Sequence, residues 1–503
     1  MSTGLFNWSP SLFNFCTMKM NPLLLTDFYK VGHVFQYPPN TTLVYSNLTP
    51  RKSRLEGIDQ MVLFGLQYFI KEYLIEQFNT EFFNRPKEVV LHEYKVRVER
   101  ALGQPLPSYE HIGDLHDLGY LPIMIKALPE GTPVPMRVPC VTIVNTKPAF
   151  FWLTNFLETL ISAVIWQPCT SATIAWQYRK LLDHYSQTTG MPDGFVTWQG
   201  HDFSFRGMSS PESAILSGMG HLLSFSGTDT IPAIEALEKY YCADTSQEMV
   251  GGSVPATEHS VMCSGEQDGE LDTFRRLIKD VYPSGIVSIV SDTWDLWKVC
   301  TSFLPTLKQE ILSRPGKVVI RPDSGDPVKI ICGDPNGATE AERKGVVELL
   351  WDCFGGTVTS KGYKLLDEHI GAIYGDSITL ERAKNICEGL MQKGFASQAV
   401  FGIGSYTYQY NTRDTFGTAM KATFIEIDGK GREIFKSPVT DDGTKKSATG
   451  LLKVMQSATG LVLKDRVSWA EEEESLLRPV FCDGKLIKEW SLSEIKATLR
   501  NNI

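Results

Sequence analysis

The chain has 503 residues, 42% of them hydrophobic and 21% charged, with a formal net charge of −9. This is a globular composition with ample core material, and its length suggests two or more domains. The acidic balance argues against nucleic acid or an anionic membrane as partner, and no apolar run is long enough to span a bilayer. The ten cysteines are scattered with no Cys-x-x-Cys pair, which is the pattern of reduced thiols in a cytoplasmic protein. The nine histidines show no ligand spacing that would indicate zinc.

Residues 1–19 lack a basic start and a continuous apolar stretch, so they are expected to be a disordered extension and not a signal peptide. Residues 21–48 are rich in aromatics and prolines, and Val44-Tyr45-Ser46-Asn47-Leu48 alternates as a strand does. Arg51, Lys52 and Arg54 then form a basic knot, expected to be a solvated turn, as is Lys445-Lys446. Residues 66–76 and 86–101 predict helices, and Ile123-Met124-Ile125-Lys126-Ala127-Leu128 predicts a strand ending in the turn Pro129-Glu130-Gly131. Residues 150–166 predict a long buried helix.

From about residue 194, short apolar runs end in polar or glycine residues and each is followed by a helical pattern. Phe195-Val196-Thr197-Trp198 leads to His201-Asp202-Phe203 and Arg206. Ser210-Pro211-Glu212 has the cap and first-turn proline of a helix start. Leu222-Leu223-Ser224-Phe225 ends at Gly227-Thr228-Asp229, and Ile286 to Ser291 ends at Asp292. Lys317-Val318-Val319-Ile320 ends at Arg321-Pro322-Asp323, and Thr339 to Glu342 fits a capping box. Ile370 to Tyr374 ends at Gly375-Asp376, and Gln398 to Phe401 ends at Gly402-Ile403-Gly404-Ser405.

Strands alternating with helices imply a parallel sheet. The number of units predicts an α/β fold with an irregular βα-barrel over residues 191–409, its site at the C-terminal strand ends. Residues 418–464 predict antiparallel β with Asp428-Gly429 as a hairpin turn, and Glu471 to Glu474 a solvated acidic surface. Residues 20–190 and 410–503 are expected to join as one discontinuous α+β domain.

The strand ends collect particular chemistry. Arg206, Arg321 and Arg413 supply bidentate phosphate donors. Gly375 and the Gly402-x-Gly404-Ser405 loop offer backbone N–H groups. Asp229, Asp292, Asp323 and Asp376 suit ribose hydroxyls or Mg²⁺, and Phe203 suits a flat ring. By these residues alone the chain predicts a phosphoribosyl or sugar-phosphate enzyme. There is no Walker A pattern. One further stretch stands apart: Gly251-Gly252-Ser253-Val254-Pro255-Ala256-Thr257-Glu258-His259-Ser260 presents a histidine behind a stiffened turn.

Together with Asp27-Phe-Tyr29-Lys30, Tyr37-Pro-Pro-Asn40-Thr41, His201-Asp-Phe-x-x-Arg206-Gly207, Gly227-Thr-Asp229-Thr230, Val290-Ser-Asp292, Ile320-Arg-Pro-Asp-Ser-Gly325, Ser360-Lys-Gly-Tyr-Lys-Leu365 and Gly375-Asp376, that stretch resembles the nicotinamide phosphoribosyltransferase family over nearly the full length. The resemblance implies transfer of phosphoribose from phosphoribosyl pyrophosphate to nicotinamide, by a homodimer with active sites at the interface. It implies that Tyr29, from the partner chain, and Phe203 sandwich the pyridine ring. Ser288 and Arg321 would hold the amide oxygen, and Asp229 the amide N–H. Arg206, Arg321, Pro322, Asp323, Gly375, Asp376, Gly404, Ser405 and Arg413 would line the phosphates and ribose, with Asp323 beside the developing ribosyl charge. His259 would be phosphorylated from ATP, with Glu258 and Asp292 nearby, and Mg²⁺ would arrive on the pyrophosphate. The chain departs from the family at Ser405, where a glycine is common, at Ile403, where a small residue is usual, and at Phe205, often tyrosine. Cys263 has no role that the pattern supplies. The competing readings are nicotinate phosphoribosyltransferase, a non-catalytic interaction protein, and a Schiff-base lyase or aldolase, for which no strand-end lysine presents itself. A carboxylate at Asp229 favours the amide substrate over the acid.

Overall fold

The structure, a computed structural model, describes residues 20–440 and 447–502. The expected extension at 1–19 and the Lys445-Lys446 pair lie outside the described residues.

Two sheets organise the chain. The first has seven strands in the order Lys430–Glu433, Ala419–Ile427, Thr41–Thr49, Val141–Asn145, Ile123–Ala127, Arg478–Cys482, Lys485–Leu486, all pairing antiparallel. N-terminal and C-terminal segments therefore interleave in one sheet: Thr41–Thr49 pairs with Ala419–Ile427 on one side and Val141–Asn145 on the other. The hairpin turn falls at Asp428-Gly429, whose φ values of 52° and 69° are the positive pair that a two-residue primed turn requires.

The second sheet is parallel. Its order is Gly227–Thr228, Gly200–Asp202, Val400–Ile403, Ile370–Tyr374, Gly316–Arg321, Gly285–Val290. The two edges are joined by residues 252–257, which pair with Gly227 on one side and Ser288 on the other. Gly252 N donates to Ser226 O at 2.8 Å and Thr228 N to Gly252 O at 2.9 Å; Ser288 N donates to Pro255 O at 2.8 Å and Thr257 N to Ser288 O at 3.0 Å. This seam closes the curl into an irregular barrel. Val287, Ile289, Val318, Ile320, Ala372, Tyr374, Phe401 and Ile403 alternate along its strands and pack with helix residues such as Val299, Leu304, Val346 and Ile386 in one buried cluster.

Four expectations change. Phe195 to Trp198 is not a strand: Val196–Gln199 is a helical turn and the strand is Gly200–Asp202. The strand at Gly200 passes so close to Phe225 that a Cβ there would lie 2.9 Å from its ring. Leu222 to Phe225 is the exit of helix Pro211–His221, and its strand shrinks to Gly227–Thr228. The helix expected over 150–166 is displaced and longer, running Glu158–Thr189 with Pro168 inside. Pro168 seats against Gly65, where a Cβ would come within 2.5 Å of the proline ring. Packing thus offsets the backbone hydrogen bond that the proline removes. The acidic run is not wholly solvated: Glu472 is 1% exposed and pairs with Lys126 Nζ at 2.7 Å. The helix caps stand as read, with Ser210 accepting from Ser213 N and Thr339 and Glu342 forming a capping box.

No single helix among the described residues is long and apolar enough to cross a membrane. The bent pair Pro148–Phe156 and Glu158–Thr189 passes by length and composition, but many of its residues are buried in the protein core.

Candidate active site

The polar ends of the parallel strands converge on one mouth. Strand Gly316–Arg321 delivers Arg321, whose Nη2 donates to Thr257 O at 2.9 Å and so ties the arginine to the seam. Its Nε lies 3.4 Å from Asp323 Oδ2. Strand Gly285–Val290 leads to Asp292, whose Oδ2 accepts from Asp323 N at 2.9 Å. Asp292 Oδ1 faces His259 Nε2 at 3.4 Å. Glu258 turns the other way: Ser260 Oγ donates to its carboxylate.

Buried polar groups normally find partners. Here Arg321 Nε, Asp323 Oδ1, Asp292 Oδ1 and Ser288 Oγ are all buried without a hydrogen bond. Gly375 helps keep the space beside them open, since a Cβ there would lie 2.0 Å from Asp323 Oδ1, and Gly375 N donates to Pro322 O at 3.3 Å. Burial pushes the Asp323 carboxyl up; Arg321 and His259 pull it down but do not cancel the burial and the neighbouring charges of Asp292 and Asp376. Asp376 is exposed and accepts from Ser377 Oγ at 2.7 Å.

On the other side of the mouth, His201 Nε2 is 2.8 Å from Asp229 Oδ1, and Ser253 Oγ donates to the same oxygen at 2.6 Å. Burial raises the Asp229 carboxyl, but those two donors and the charge of Arg321 outweigh it and hold the group below its ordinary range. The Phe203 ring leans on His201, centroids 4.7 Å apart, and packs over Gly402, where a Cβ would be 2.5 Å from the ring. Arg206 is exposed in the turn Phe205–Gly207. Gly404 precedes the four-residue helix Ser405–Tyr408 and faces open space. The departures find their places. Ser405 packs against Gly207, where a Cβ would come within 2.0 Å of its Oγ, and Ile403 is fully buried in the barrel. Phe205, 38% exposed, lines a separate cavity of about 850 Å³. Cys263 ends the short helix begun by His259 and is exposed.

Tyr29 and Arg413 do not join this mouth directly. They line a cavity of about 240 Å³ with Asp27, Glu158 and Trp166. The Tyr29 ring is 61% exposed and makes its edge contact with His33, not with Phe203. Beside this cavity lies a basic group that includes Lys421, which sequence reasoning missed. Lys30 and Lys421 both pair with Glu158, Lys421 at 3.8 Å. Burial pulls the Lys421 ammonium below its ordinary value, and the nearby charges of Arg51, Lys436 and Lys30 add to the effect against Glu158. Arg51 belongs here rather than to a free turn: its Nε donates to Gly417 O at 2.8 Å. No local signal announces Lys421, because its ion-pair partner Glu158 is more than two hundred residues away. His201 and Ser253 stood in quoted motifs, but only their shared contact with Asp229 gives them a part.

Among the described residues no group of three or more His, Cys, Asp or Glu side chains is arranged to hold a metal by itself. The open carboxylate oxygens of Asp292 and Asp323 do fit an ion that arrives already bound to a phosphate ligand.

A barrel of parallel strands with arginine, aspartate and glycine at its mouth defines the class, a phosphoribosyltransferase-like α/β enzyme. Its fold is similar to the crystal structure of nicotinate-nucleotide pyrophosphorylase from Pyrococcus furiosus, with TM-score 0.59 at 15% identity, covering 98% of this chain and 97% of that one. It is also similar to human nicotinic acid phosphoribosyltransferase, with TM-score 0.51 at 14% identity, covering 95% and 93%. Residues 198–485 match the nicotinate phosphoribosyltransferase (NAPRTase) family, and residues 21–125 match the nicotinamide phosphoribosyltransferase N-terminal domain. The chain is 55% identical over 500 residues to the nicotinamide phosphoribosyltransferase of Acinetobacter baylyi, covering 97% of this chain and 98% of that protein. It is 34% identical over 488 residues to that of Xanthomonas campestris pv. campestris, covering 95% and 97%. The chain belongs to the nicotinate phosphoribosyltransferase family of enzymes.

Proposed function

We propose that the chain transfers the phosphoribosyl group of phosphoribosyl pyrophosphate to the ring nitrogen of nicotinamide, giving nicotinamide mononucleotide and pyrophosphate. The observation that carries this is the set of buried polar atoms at the barrel mouth that lack a hydrogen bond, Arg321 Nε, Asp323 Oδ1, Asp292 Oδ1 and Ser288 Oγ, beside an Asp229 kept ionised. The pyridine nitrogen forms the new bond to the ribosyl carbon as the carbon–oxygen bond to pyrophosphate breaks. Asp323 faces the positive charge that develops on the ribose. Arg206, Arg321, Gly375, Asp376, Gly404 and Ser405 hold phosphate and ribose oxygens. Ser288 and Arg321 bind the amide oxygen, and Phe203 stacks on the ring. Mg²⁺ carried by the pyrophosphate would neutralise the leaving group, with Asp292 and Asp323 as its protein contacts.

His259 is the acceptor of the γ-phosphoryl of ATP: a ring nitrogen bonds to phosphorus as the bond to the bridging oxygen breaks and ADP leaves. Asp292, 3.4 Å from Nε2, orients the imidazole, which is half-exposed and accessible. The exposed Tyr29, with Arg413 in its cavity, supports a homodimer in which each chain supplies that half of the site to its partner, in the cytoplasm.

The test is an assay with phosphoribosyl pyrophosphate and either nicotinamide or nicotinate, with and without ATP. Formation of nicotinamide mononucleotide, favoured over the acid product and stimulated by ATP, is expected. Preference for nicotinate would replace this substrate assignment with its nearest alternative, and inactivity on both would remove the function.

A further inference from the structure

One feature of the mouth is not required by a catalytic role for any residue in it. Asp229 has two carboxylate oxygens, and both side-chain donors that reach it go to the same one. His201 Nε2 is 2.8 Å from Oδ1 and Ser253 Oγ is 2.6 Å from it. The two donors come from different parts of the barrel: His201 from strand Gly200–Asp202 and Ser253 from the seam between the barrel edges. The backbone is fixed as well, since Asp229 N donates to Asp202 O at 3.0 Å. The side chain nevertheless remains 47% exposed toward the mouth. Oδ1 is thus committed to the protein and Oδ2 is presented to a ligand.

The imidazole lies where it does because Gly227 has no side chain: a Cβ there would be 2.7 Å from His201 Nδ1. The ring is then held by burial, at 8% exposure, and by its contact with Phe203. Without these donors a carboxylate turns freely about its last bond, which is broad and two-fold. Asp229 also feels the charge of Arg321. A freed Asp229 would be drawn toward that guanidinium, removing the acceptor from the amide N–H and occupying the group that binds the amide oxygen.

Resting on the functional reading above, we infer that His201 and Ser253 are positioning residues: they pin Oδ1 so that Oδ2 stays where it accepts an amide N–H and repels a substrate carboxylate. Amide-versus-acid selection is then a property of three residues on three segments, with Gly227 making the room.

The experiment measures kcat/KM for nicotinamide and for nicotinate, at saturating phosphoribosyl pyrophosphate, in Ser253→Ala, His201→Leu and Gly227→Ala, each made alone and in an Asp229→Ala background. Loss of one donor to a charged acceptor is expected to lower the amide-to-acid ratio about tenfold, mainly through the KM for nicotinamide. The KM for phosphoribosyl pyrophosphate stays unchanged. Ser253→Thr and His201→Gln, which keep a donor, restore most of the ratio. In the Asp229→Ala background none of the changes shifts the ratio further, an outcome that a general structural defect would not produce. Ser253→Ala, on the partly exposed seam, carries the test if the buried His201 variants do not fold. An unchanged ratio in Ser253→Ala, or an equal drop in the Asp229→Ala background, overturns the inference while leaving the enzyme's function intact. A wild-type protein inactive on both pyridines would instead remove the reading on which it rests.

Discussion

Two of the places where the described residues bury charge are treated differently. In the antiparallel sheet, Lys126 Nζ is met by Glu472 at 2.7 Å and Glu473 at 2.8 Å, and Tyr45 donates to Glu472 at 3.3 Å. At the barrel mouth, Arg321, Asp323 and Asp292 are also mostly buried, yet each keeps an atom without a hydrogen bond. The first cluster spends its hydrogen-bonding capacity on the fold. The second withholds some of it, which lowers stability and leaves directed polar atoms for a ligand. Burial of charge by itself therefore does not mark a site; at the mouth the unfinished groups are clustered, with Arg321 beside Asp323 and Asp323 N bonded to Asp292.

Substitutions at the two places should move opposite quantities. Asp323→Asn should lower kcat/KM about a hundred- to a thousandfold, the usual size of losing one aligned electrostatic group. It should leave the thermal midpoint equal or higher, because a partly orphaned charge has been removed. A clear fall in midpoint would mean that Asp323 belongs to the fold after all. Lys126→Met should do the reverse, destabilising by about 3–5 kcal/mol as Glu472 is left buried and unpaired. Denaturation midpoints report that loss, and activity per folded molecule should be nearly unchanged.

Glu130 sharpens the contrast on the structural side. It is fully buried, and accepts from Gly65 N at 2.9 Å, Gln67 N at 2.5 Å and Tyr241 OH at 3.1 Å. Burial nevertheless pushes its carboxyl up to about 7, against the pull of those donors. The folded chain then holds a proton that the unfolded chain has already released. Stability from this group is present below the unfolded carboxylate range and is lost as pH rises through about 7. Its share is on the order of 3 kcal/mol. Unfolding midpoints from pH 5 to 8 should fall less in Glu130→Gln than in the parent; parallel curves would contradict it. The smallest effect is expected at His259, the proposed phosphoryl acceptor. His259→Ala should lose the ATP stimulation and with it about tenfold in rate, about 1.4 kcal/mol, while basal transfer persists. Retained ATP coupling would assign the phosphoryl group elsewhere.

How far the sequence reaches follows the same physics. Gly285–Val290 and Gly316–Arg321 are legible because their β-branched runs end in charged residues that local rules already single out. Gly227–Thr228 is not legible, because two residues become a strand only through the neighbours that pair with them. Glu158–Thr189 was hidden by Pro168, whose compatibility with a helix depends on Gly65, a hundred positions away. At the mouth, the identities of Arg321, Asp323, Asp229 and His259 could be read from motifs. That Asp229 shares one oxygen between His201 and Ser253, that Glu258 turns to Ser260, and that Tyr29 sits apart with Arg413 could not. Those facts depend on rotamers and on segments far apart in the chain.

The seam formed by residues 252–257 has a consequence for measurement. Ser253 reaches Asp229 near its start, Thr257 O receives Arg321 at its end, and His259 follows two residues later. Few backbone hydrogen bonds hold it, compared with the six-residue ladder between Gly285–Val290 and Gly316–Arg321. Its amides should exchange with deuterium sooner than those of the ladder. Ligands occupying either end of the mouth should then slow exchange at the same few amides, those of Gly252, Thr257 and Ser288, making the seam a built-in reporter of occupancy.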